Sequence, residues 1–341
     1  MLKILFIFLL FLLSVRLEAS PQIFASLYGE GEAELPQIIR FKELPAQDFQ
    51  EKKTGYLDRF DHAFKANQRY PYLTDLQKAK LAKVSPDLLR SWIAAELSLL
   101  SYNHPQFIEK ILVRYGFKQI RYFQGNEYDG QGFVAYLKGV VYVCFRGTEP
   151  DSFTDMVSDI KFALTTFEGE GKVHTGFLSA YKELESNGLA QYLKFMTKTH
   201  PNARLVFCGH SLGGAMATLA STRYPEKGQL ITFGSPRVGN RKFSRWFPVE
   251  GFRFSNLADP VTHVPPSFAL TGGYRHVGQT ARMLSTSIRF KGVSVKQNAK
   301  GALSVFKSNF IGKIESLFDH APTSYALKLR AAVLGPLRHS N

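Results

Sequence analysis

The spacing of hydrophobic residues changes from helical to strand-like partway along the chain. Residues 86–102 (PDLLRSWIAAELSLLSY) and 105–116 (PQFIEKILVRYG) carry apolar side chains three and four positions apart, which predicts two amphipathic helices. Three short apolar runs separated by glycine-containing turns follow, and they predict strands over 118–123, 132–137 and 140–145.

Beyond these strands, helical and strand-like patterns alternate. The predicted elements are a helix near 176–187, a strand over 204–208, a helix over 211–222 and strands over 229–233 and 251–256. Alternating strands and helices are typical of a mostly parallel sheet with helices on both faces. The sequence therefore predicts an α/β fold.

The first residues have the pattern of an export signal. In residues 1–20, MLKILFIFLLFLLSVRLEAS, Lys3 precedes an apolar run, Ile4–Leu13. The segment ends in small residues, and cleavage is expected after Ala19. This predicts a signal peptide over 1–20 and a secreted or periplasmic protein, with an uncleaved membrane anchor as the alternative. Residues 21–85 are predicted to form a polar arm packed on the body, and 86–335 the main domain.

Composition and net charge indicate which kinds of partner the protein can bind. The 341 residues are 45% hydrophobic and 13% aromatic, which is typical of a globular protein. The formal net charge of +15 favours anionic surfaces such as phospholipid headgroups. The sequence contains no basic run of five and no zinc-knuckle spacing, so nucleic acid is not predicted as a partner.

The cysteines predict free thiols. Cys144 and Cys208 end two apolar runs, and neighbouring parallel strands rarely have the geometry for a disulfide. The chain has no C-x-x-C or H-E-x-x-H pattern, so neither a metal nor another cofactor is predicted.

The segment LVFCGHSLGGAMATLA, residues 205–220, places Ser211 between two glycines. The apolar run before it predicts a buried strand, and the small residues after it predict a helix packed close to the sheet. In this arrangement Gly209 and Gly213 allow strand and helix to approach while the serine hydroxyl is presented at the sheet edge. A Gly-Ser turn without catalytic meaning is the alternative, so the motif needs partners.

A serine nucleophile needs a base, and the base needs an acid to orient it. In elbow-type hydrolases the acid follows the serine in the chain, and only Asp259 and Asp319 follow Ser211. Asp259 comes directly after a predicted strand, where parallel sheets build their sites, whereas Asp319 adjoins a histidine in sequence. Asp259 is therefore the predicted acid, with an Asp-Pro turn as the alternative.

Four histidines follow Asp259. His263 lies too close on the same loop, and His339 lies in the terminal tail. His276 and His320 both remain as candidate bases, and the order of residues along the chain does not choose between them.

Several separate blocks in the right order resemble the class 3 lipase family, the fungal-lipase-like branch of the α/β-hydrolases. They are VYVCFRGTEPDSFTDMVSDI, VHTGFLSAY, FCGHSLGGAMATLAS, ITFGSPRVGNRKF and LADPVTHVPP, and the resemblance runs from about Pro86 to Leu329. It implies an α/β-hydrolase fold and hydrolysis of lipid carboxylic esters, with a lipid ester as the substrate.

The resemblance also implies roles for individual residues. The family's late D-H-x-x-Y pattern points to His320 as the base, although Tyr325 lies two residues further on than in that pattern. The oxyanion donors should be the main-chain N–H groups of Leu212, directly after the serine, and of Thr148, after FRG. Segment 151–164 (DSFTDMVSDIKFAL) corresponds to the family's lid, with a buried helix as the alternative.

The expected function is therefore that of a secreted serine hydrolase with Ser211, Asp259 and His320 as its triad. A phospholipase A or lipid acyltransferase could use the same residues. A non-catalytic lipid-binding protein with this fold is a further alternative, but such a relative would typically have lost a triad or oxyanion residue.

The insertion between acid and base, residues 282–318, is basic, with seven Lys or Arg and one Glu. Its apolar residues have helical spacing and share the segment with three lysines: Leu303, Phe306, Phe310, Ile314, Leu317, Lys300, Lys307 and Lys313. This pattern predicts a basic amphipathic helix that can bind an anionic membrane surface. A core helix with a solvated lysine face is the alternative.

Overall fold

A computed structural model describes the backbone of residues 38–40, 86–148, 163–168, 170–256, 259–268, 273–283, 287–291 and 319–334. The helices are α1 Pro86–Leu100, α2 Pro105–Arg114, α3 Thr175–Leu184, α4 Ala190–Thr199, α5 Leu212–Ser221, α6 Arg241–Trp246 and α7 Pro322–Leu334. The strands are β1 Ile38–Arg40, β2 Lys118–Gln124, β3 Gln131–Leu137, β4 Val140–Phe145, β5 Leu164–Thr166, β6 Lys172–His174, β7 Arg204–His210, β8 Gly228–Phe233, β9 Glu250–Asn256, β10 Gln279–Met283 and β11 Ser287–Lys291.

Nine of the described strands form one sheet in the order β1-β11-β10-β9-β8-β7-β4-β3-β2. The five central strands, from β4 to β10, pair in parallel. Antiparallel pairs close both edges, with β2 and β3 on one side and β11 and β1 on the other. This sheet confirms the predicted α/β fold with a parallel centre.

The two faces of the sheet bury alternate residues of the same strand. On β4, Val141, Val143 and Phe145 belong to the core that also contains residues of α3, α4 and α5. Tyr142 and Cys144 belong to the opposite core, with α1, α2 and α7. A strand that is apolar on both faces needs helices on both sides, and this is why its sequence is a continuous hydrophobic run rather than an alternating one.

Helices α1 and α7 pack on each other and cover the same face of the sheet. Trp92 of α1 and Leu329 of α7 are fully buried there. Burial of side chains of this size stabilises the fold by about 1.5–3 kcal/mol each. The pairing matters for function because the turn after α1 and the start of α7 both reach the candidate site.

Several elements depart from the sequence predictions. The helix predicted near 176–187 gives way at Leu184 to a π-helical segment, Glu185–Leu189, in which Gly188 has a φ of +103°. Helix α4 continues directly from this segment and was not predicted. Strands β10 and β11 were not predicted either, and the basic insertion begins within them, at Arg282 of β10.

Other predicted segments lie outside the described residues. They are the signal peptide, the helix within 300–317 and residues 151–162 of the lid segment. Of the predicted arm, Ile38–Arg40 is described, and it pairs antiparallel with β11 at the sheet edge. Within the described part, no helix has the length and apolarity needed to cross a membrane.

The two cysteines are free and buried, as predicted. Cys144 on β4 and Cys208 on β7 are Cα partners on adjacent parallel strands. Burial raises the pKa of the Cys144 thiol well above its ordinary value, and the neighbouring Cys208 adds to that shift. The Cys144 group is therefore kept as an unreactive thiol inside the core, and Cys208 is buried beside it.

Candidate active site

Ser211 occupies the turn between β7 and α5, with φ of 56° and ψ of −127°. This is strained backbone for a non-glycine residue and costs on the order of 1–3 kcal/mol. The flanking glycines permit it: a Cβ atom on Gly209 would overlap the main chain of Gly213, and one on Gly213 would overlap Phe145 at the end of β4. The G-x-S-x-G spacing is therefore a steric requirement of this turn, which we call the elbow (residues 209–213).

The Ser211 side chain is buried at the amino terminus of α5. Its main-chain N–H donates to Phe233 O at 3.0 Å, which ties the elbow to β8. Its Oγ atom has no hydrogen-bond partner within the described residues. The backbone thus fixes the position of the hydroxyl, and none of the described residues accepts a hydrogen bond from it.

Asp259 and His320 form a fully buried pair. His320 Nδ1 lies 2.9 Å from Asp259 Oδ1 and 3.0 Å from Oδ2. The N–H of Val261 also donates to Oδ1, at 2.9 Å, in the 3₁₀ turn that follows β9. Because Nδ1 donates to the carboxylate, the neutral imidazole carries no proton on Nε2, and Nε2 is its basic atom.

Tyr325 completes the carboxylate's surroundings and was not assigned a role from sequence. Its hydroxyl donates to Asp259 Oδ2 at 2.5 Å and accepts from the N–H of Asn256 at 3.0 Å. Burial, with the adjacent Asp259 charge, raises the pKa of Tyr325 well above its ordinary value, so the phenol stays a donor. The tyrosine of the late D-H motif thus reaches the acid from the first turn of α7, despite its shifted position.

The remaining sequence candidates lie elsewhere. His276 Nε2 donates to Thr262 O at 2.7 Å, and its pKa is well below the ordinary value, chiefly because of burial. The main-chain oxygen of Asp319 accepts from Asn256 Nδ2. The fold therefore brings His320, rather than His276, onto Asp259.

The segment after β4 runs directly beside the elbow. A Cβ atom built on Gly147 would lie 3.1 Å from Ser211 Cβ and 2.7 Å from His210 O. Thr148 follows Gly147 and is half-buried, and Leu212 is the first residue of α5, where N–H groups have no acceptor within the helix. Both predicted oxyanion donors thus belong to segments that meet at Ser211.

All of these groups lie at one edge of the sheet. β4, β7 and β9 are parallel through β8, so their carboxyl ends carry Thr148, Ser211 and Asp259 to the same side. Within the described residues, no cluster of three His, Cys, Asp or Glu side chains could hold a metal ion. The arrangement can deliver a serine oxygen to an electrophile and accept its proton.

Comparison with known proteins supports this description. Residues 142–269 match the model of the class 3 lipase family. This segment of the chain is therefore similar to the class 3 lipase family. The match includes Thr148, Ser211 and Asp259 and ends before His320, so the family match itself does not include the histidine.

Curated proteins that are similar to this chain include fungal enzymes. A lipase from Rhizopus niveus is 31% identical over 193 residues, which are 53% of this chain and 46% of the relative. The secreted mono- and diacylglycerol lipase A of Penicillium cyclopium is 36% identical over 160 residues, 44% of this chain and 50% of the relative. The chain thus spans about half the length of these curated relatives.

A solved structure has the same fold. It is a triacylglycerol lipase whose catalytic centre is described as a serine protease triad, and it superposes with a TM-score of 0.57 at 25% identity. The superposition covers 69% of this chain and 93% of that structure. The architecture of this chain is therefore that of an α/β-hydrolase.

Proposed function

We propose that this protein is a secreted hydrolase that cleaves carboxylic ester bonds of lipids through Ser211, His320 and Asp259. The observation that carries the proposal is the buried Asp259–His320 pair at the sheet edge where the strained elbow presents Ser211. The match of residues 142–269 to the class 3 lipase family supports the choice of a lipid ester as substrate.

The first half of the reaction forms an acyl-enzyme. Ser211 Oγ attacks the ester carbonyl carbon while its proton passes to His320 Nε2. The N–H groups of Leu212 and Thr148 stabilise the negative oxygen of the tetrahedral intermediate, each by about 3 kcal/mol. The bond to the alcohol oxygen then breaks, and the imidazolium returns its proton to the leaving alcohol.

The second half repeats these steps with water. The water oxygen attacks the acyl carbon while His320 takes a proton from the water. His320 then gives that proton to Ser211 Oγ as the fatty acid leaves. Asp259 stabilises the imidazolium in both halves. The carboxylate is fully buried and held in place by three donors, so it orients the ring without being consumed.

The experiment is hydrolysis by purified protein of p-nitrophenyl esters, emulsified triglyceride and phospholipid vesicles. We expect Ser211→Ala and His320→Ala to lower kcat by about 10⁴-fold or more, with effects that are far from additive. The matched control is Ser221→Ala, a buried serine at the other end of α5 whose hydroxyl bonds Thr218 O. It should retain near wild-type activity.

A serine-directed phosphonate supplies an independent readout, since it should label Ser211 and no other serine. Activity in Ser211→Ala, labelling elsewhere, or loss of activity in His276→Ala with full activity in His320→Ala would contradict the proposal. A wild-type protein that is folded yet inactive on every ester and unlabelled would favour a lipid-binding protein instead.

Export and membrane contact are part of the same proposal. Mass spectrometry of exported protein should find an N-terminus near Ser20. Changing Lys300, Lys307 and Lys313 together to Glu should weaken binding to anionic vesicles in a salt-sensitive way, by about 1 kcal/mol per lysine. Hydrolysis of a soluble ester should be unaffected, and unchanged vesicle binding would exclude this segment as the membrane contact.

A further inference from the structure

The ring of His210, the residue before Ser211, lies fully buried between two distant parts of the chain. Its Nδ1 atom is 2.8 Å from Tyr102 Oη, in the turn after α1. Its Nε2 atom is 2.5 Å from the main-chain oxygen of His320. The rings of His210 and His320 also pack on each other, with centroids 4.4 Å apart.

The chemistry of the partners fixes the direction of each hydrogen bond. A carbonyl oxygen can only accept, so His210 Nε2 carries the proton and donates to His320 O. In the neutral ring Nδ1 is then an acceptor and receives the Tyr102 hydroxyl proton. Tyr102 Oη in turn accepts from the N–H of Gly147. Burial, with the facing His320, holds the pKa of His210 well below its ordinary value, so this tautomer persists.

These bonds join the three parts that the reaction needs. Gly147 precedes the proposed oxyanion donor Thr148, His210 precedes the proposed nucleophile Ser211, and His320 is the proposed base. The side chain of His320 is held by Asp259 and packs on the ring of His210. The bond from His210 fixes its main chain, and the packed rings restrict rotation of the imidazole.

Resting on the proposed function, we propose that Tyr102 and His210 are positioning residues that hold the base and the oxyanion loop in register with the nucleophile. They do not touch the substrate or exchange protons with it. Their contribution is to keep His320 and Thr148 at a fixed distance from Ser211, and small displacements in such sites reduce the rate strongly.

Tyr102→Phe removes one hydroxyl and leaves both His210 Nδ1 and the Gly147 N–H without that partner. We expect kcat on a soluble ester to fall by about tenfold or more, with KM nearly unchanged and a parallel fall in the rate of phosphonate labelling. The matched control is Tyr142→Phe, a fully buried tyrosine on β4. It should keep the wild-type kcat and labelling rate.

A pair of substitutions at His210 tests the second bond. In His210→Gln the amide nitrogen can still reach His320 O, whereas in His210→Asn it is too short. We therefore expect the glutamine variant to keep about tenfold more activity than the asparagine variant. Equal activities, or a Tyr102→Phe enzyme with wild-type kcat, would overturn the proposal.

A measurement that does not use activity separates this inference from the proposed function. Nitrogen-15 spectra of the histidine side chains should show His210 as the neutral tautomer protonated on Nε2 from pH 5 to 8, with its Nδ1 signal shifted in Tyr102→Phe. A tautomer protonated on Nδ1 would refute the inference even in an active enzyme. If instead the wild type is inactive on esters or Ser211→Ala is active, the proposed function fails, whatever the spectra show.

Discussion

Replacing Gly147 with alanine should displace the loop that carries Thr148, the proposed second oxyanion donor. The added Cβ atom would overlap Tyr102 Oη and would lie 2.7 Å from His210 O and 3.1 Å from Ser211 Cβ, where ordinary contacts are 3.4–4 Å. His210 O is part of the elbow's main chain, which the sheet and α5 hold in place. The loop of Gly147 must therefore move away by at least about 0.7 Å.

The size of the effect follows from this displacement. Complete loss of one oxyanion donor costs a serine hydrolase about 10²–10³ in kcat. A shift of about 0.7 Å lengthens the bond from the Thr148 N–H without abolishing it, so we expect kcat to fall by about 30–100-fold. Overpacking should also cost about 1–3 kcal/mol of stability, or several degrees of melting temperature.

The assay is kcat and KM on a soluble short-chain p-nitrophenyl ester, together with thermal unfolding. The control is Gly176→Ala at the exposed start of α3, where the new Cβ atom would meet only the His174 side chain, at 3.3 Å. It should keep both activity and stability. A Gly147→Ala enzyme within threefold of the wild-type kcat would refute the placement of this loop beside the oxyanion, as would a loss explained wholly by unfolded protein.

Three further outcomes are expected. Tyr325→Phe removes a hydrogen bond to the Asp259 carboxylate worth about 1.5–3 kcal/mol, so the melting temperature should fall by about 5 °C and kcat by about tenfold; unchanged values in both assays would contradict that contact. Because the pKa of His210 lies well below its ordinary value, its contribution to stability is complete above about pH 6.5 and is lost as the pH falls. Urea unfolding should show the free energy of unfolding falling by up to about 1.4 kcal/mol per pH unit more steeply than in His210→Gln, and parallel curves would contradict this. Cys144 and Cys208 should not react with a thiol reagent in the native protein and should both react in denaturant; rapid native labelling would show that they are accessible.

The sequence alone determined most of the central strands, helices such as α1 and α5, and the elbow, because these follow from local rules. Runs that are apolar on both faces, such as that of β4, specify central strands, and amphipathic spacing specifies helices such as α1. The glycines around Ser211 are required by close approach of segments a few residues apart, so the motif could be identified from a short stretch. Asp259 followed from its position at the end of a strand, which is also a local property.

The choice of base and its supporting contacts depended on the tertiary structure. His276 and His320 were equivalent by chain order, and the resemblance to a family, rather than the spacing, favoured His320. The fold separates them, because His276 bonds Thr262 whereas His320 meets Asp259, 61 residues away in sequence.

The same reason accounts for what the sequence did not reveal. Tyr102 and His210 are 108 residues apart, and β1 pairs with β11 across most of the chain. Contacts of this kind are set by the order of strands in the sheet and by how the helices pack on it. Hydrophobic period and turn chemistry act over only a few residues, so they specify each element without specifying which elements meet.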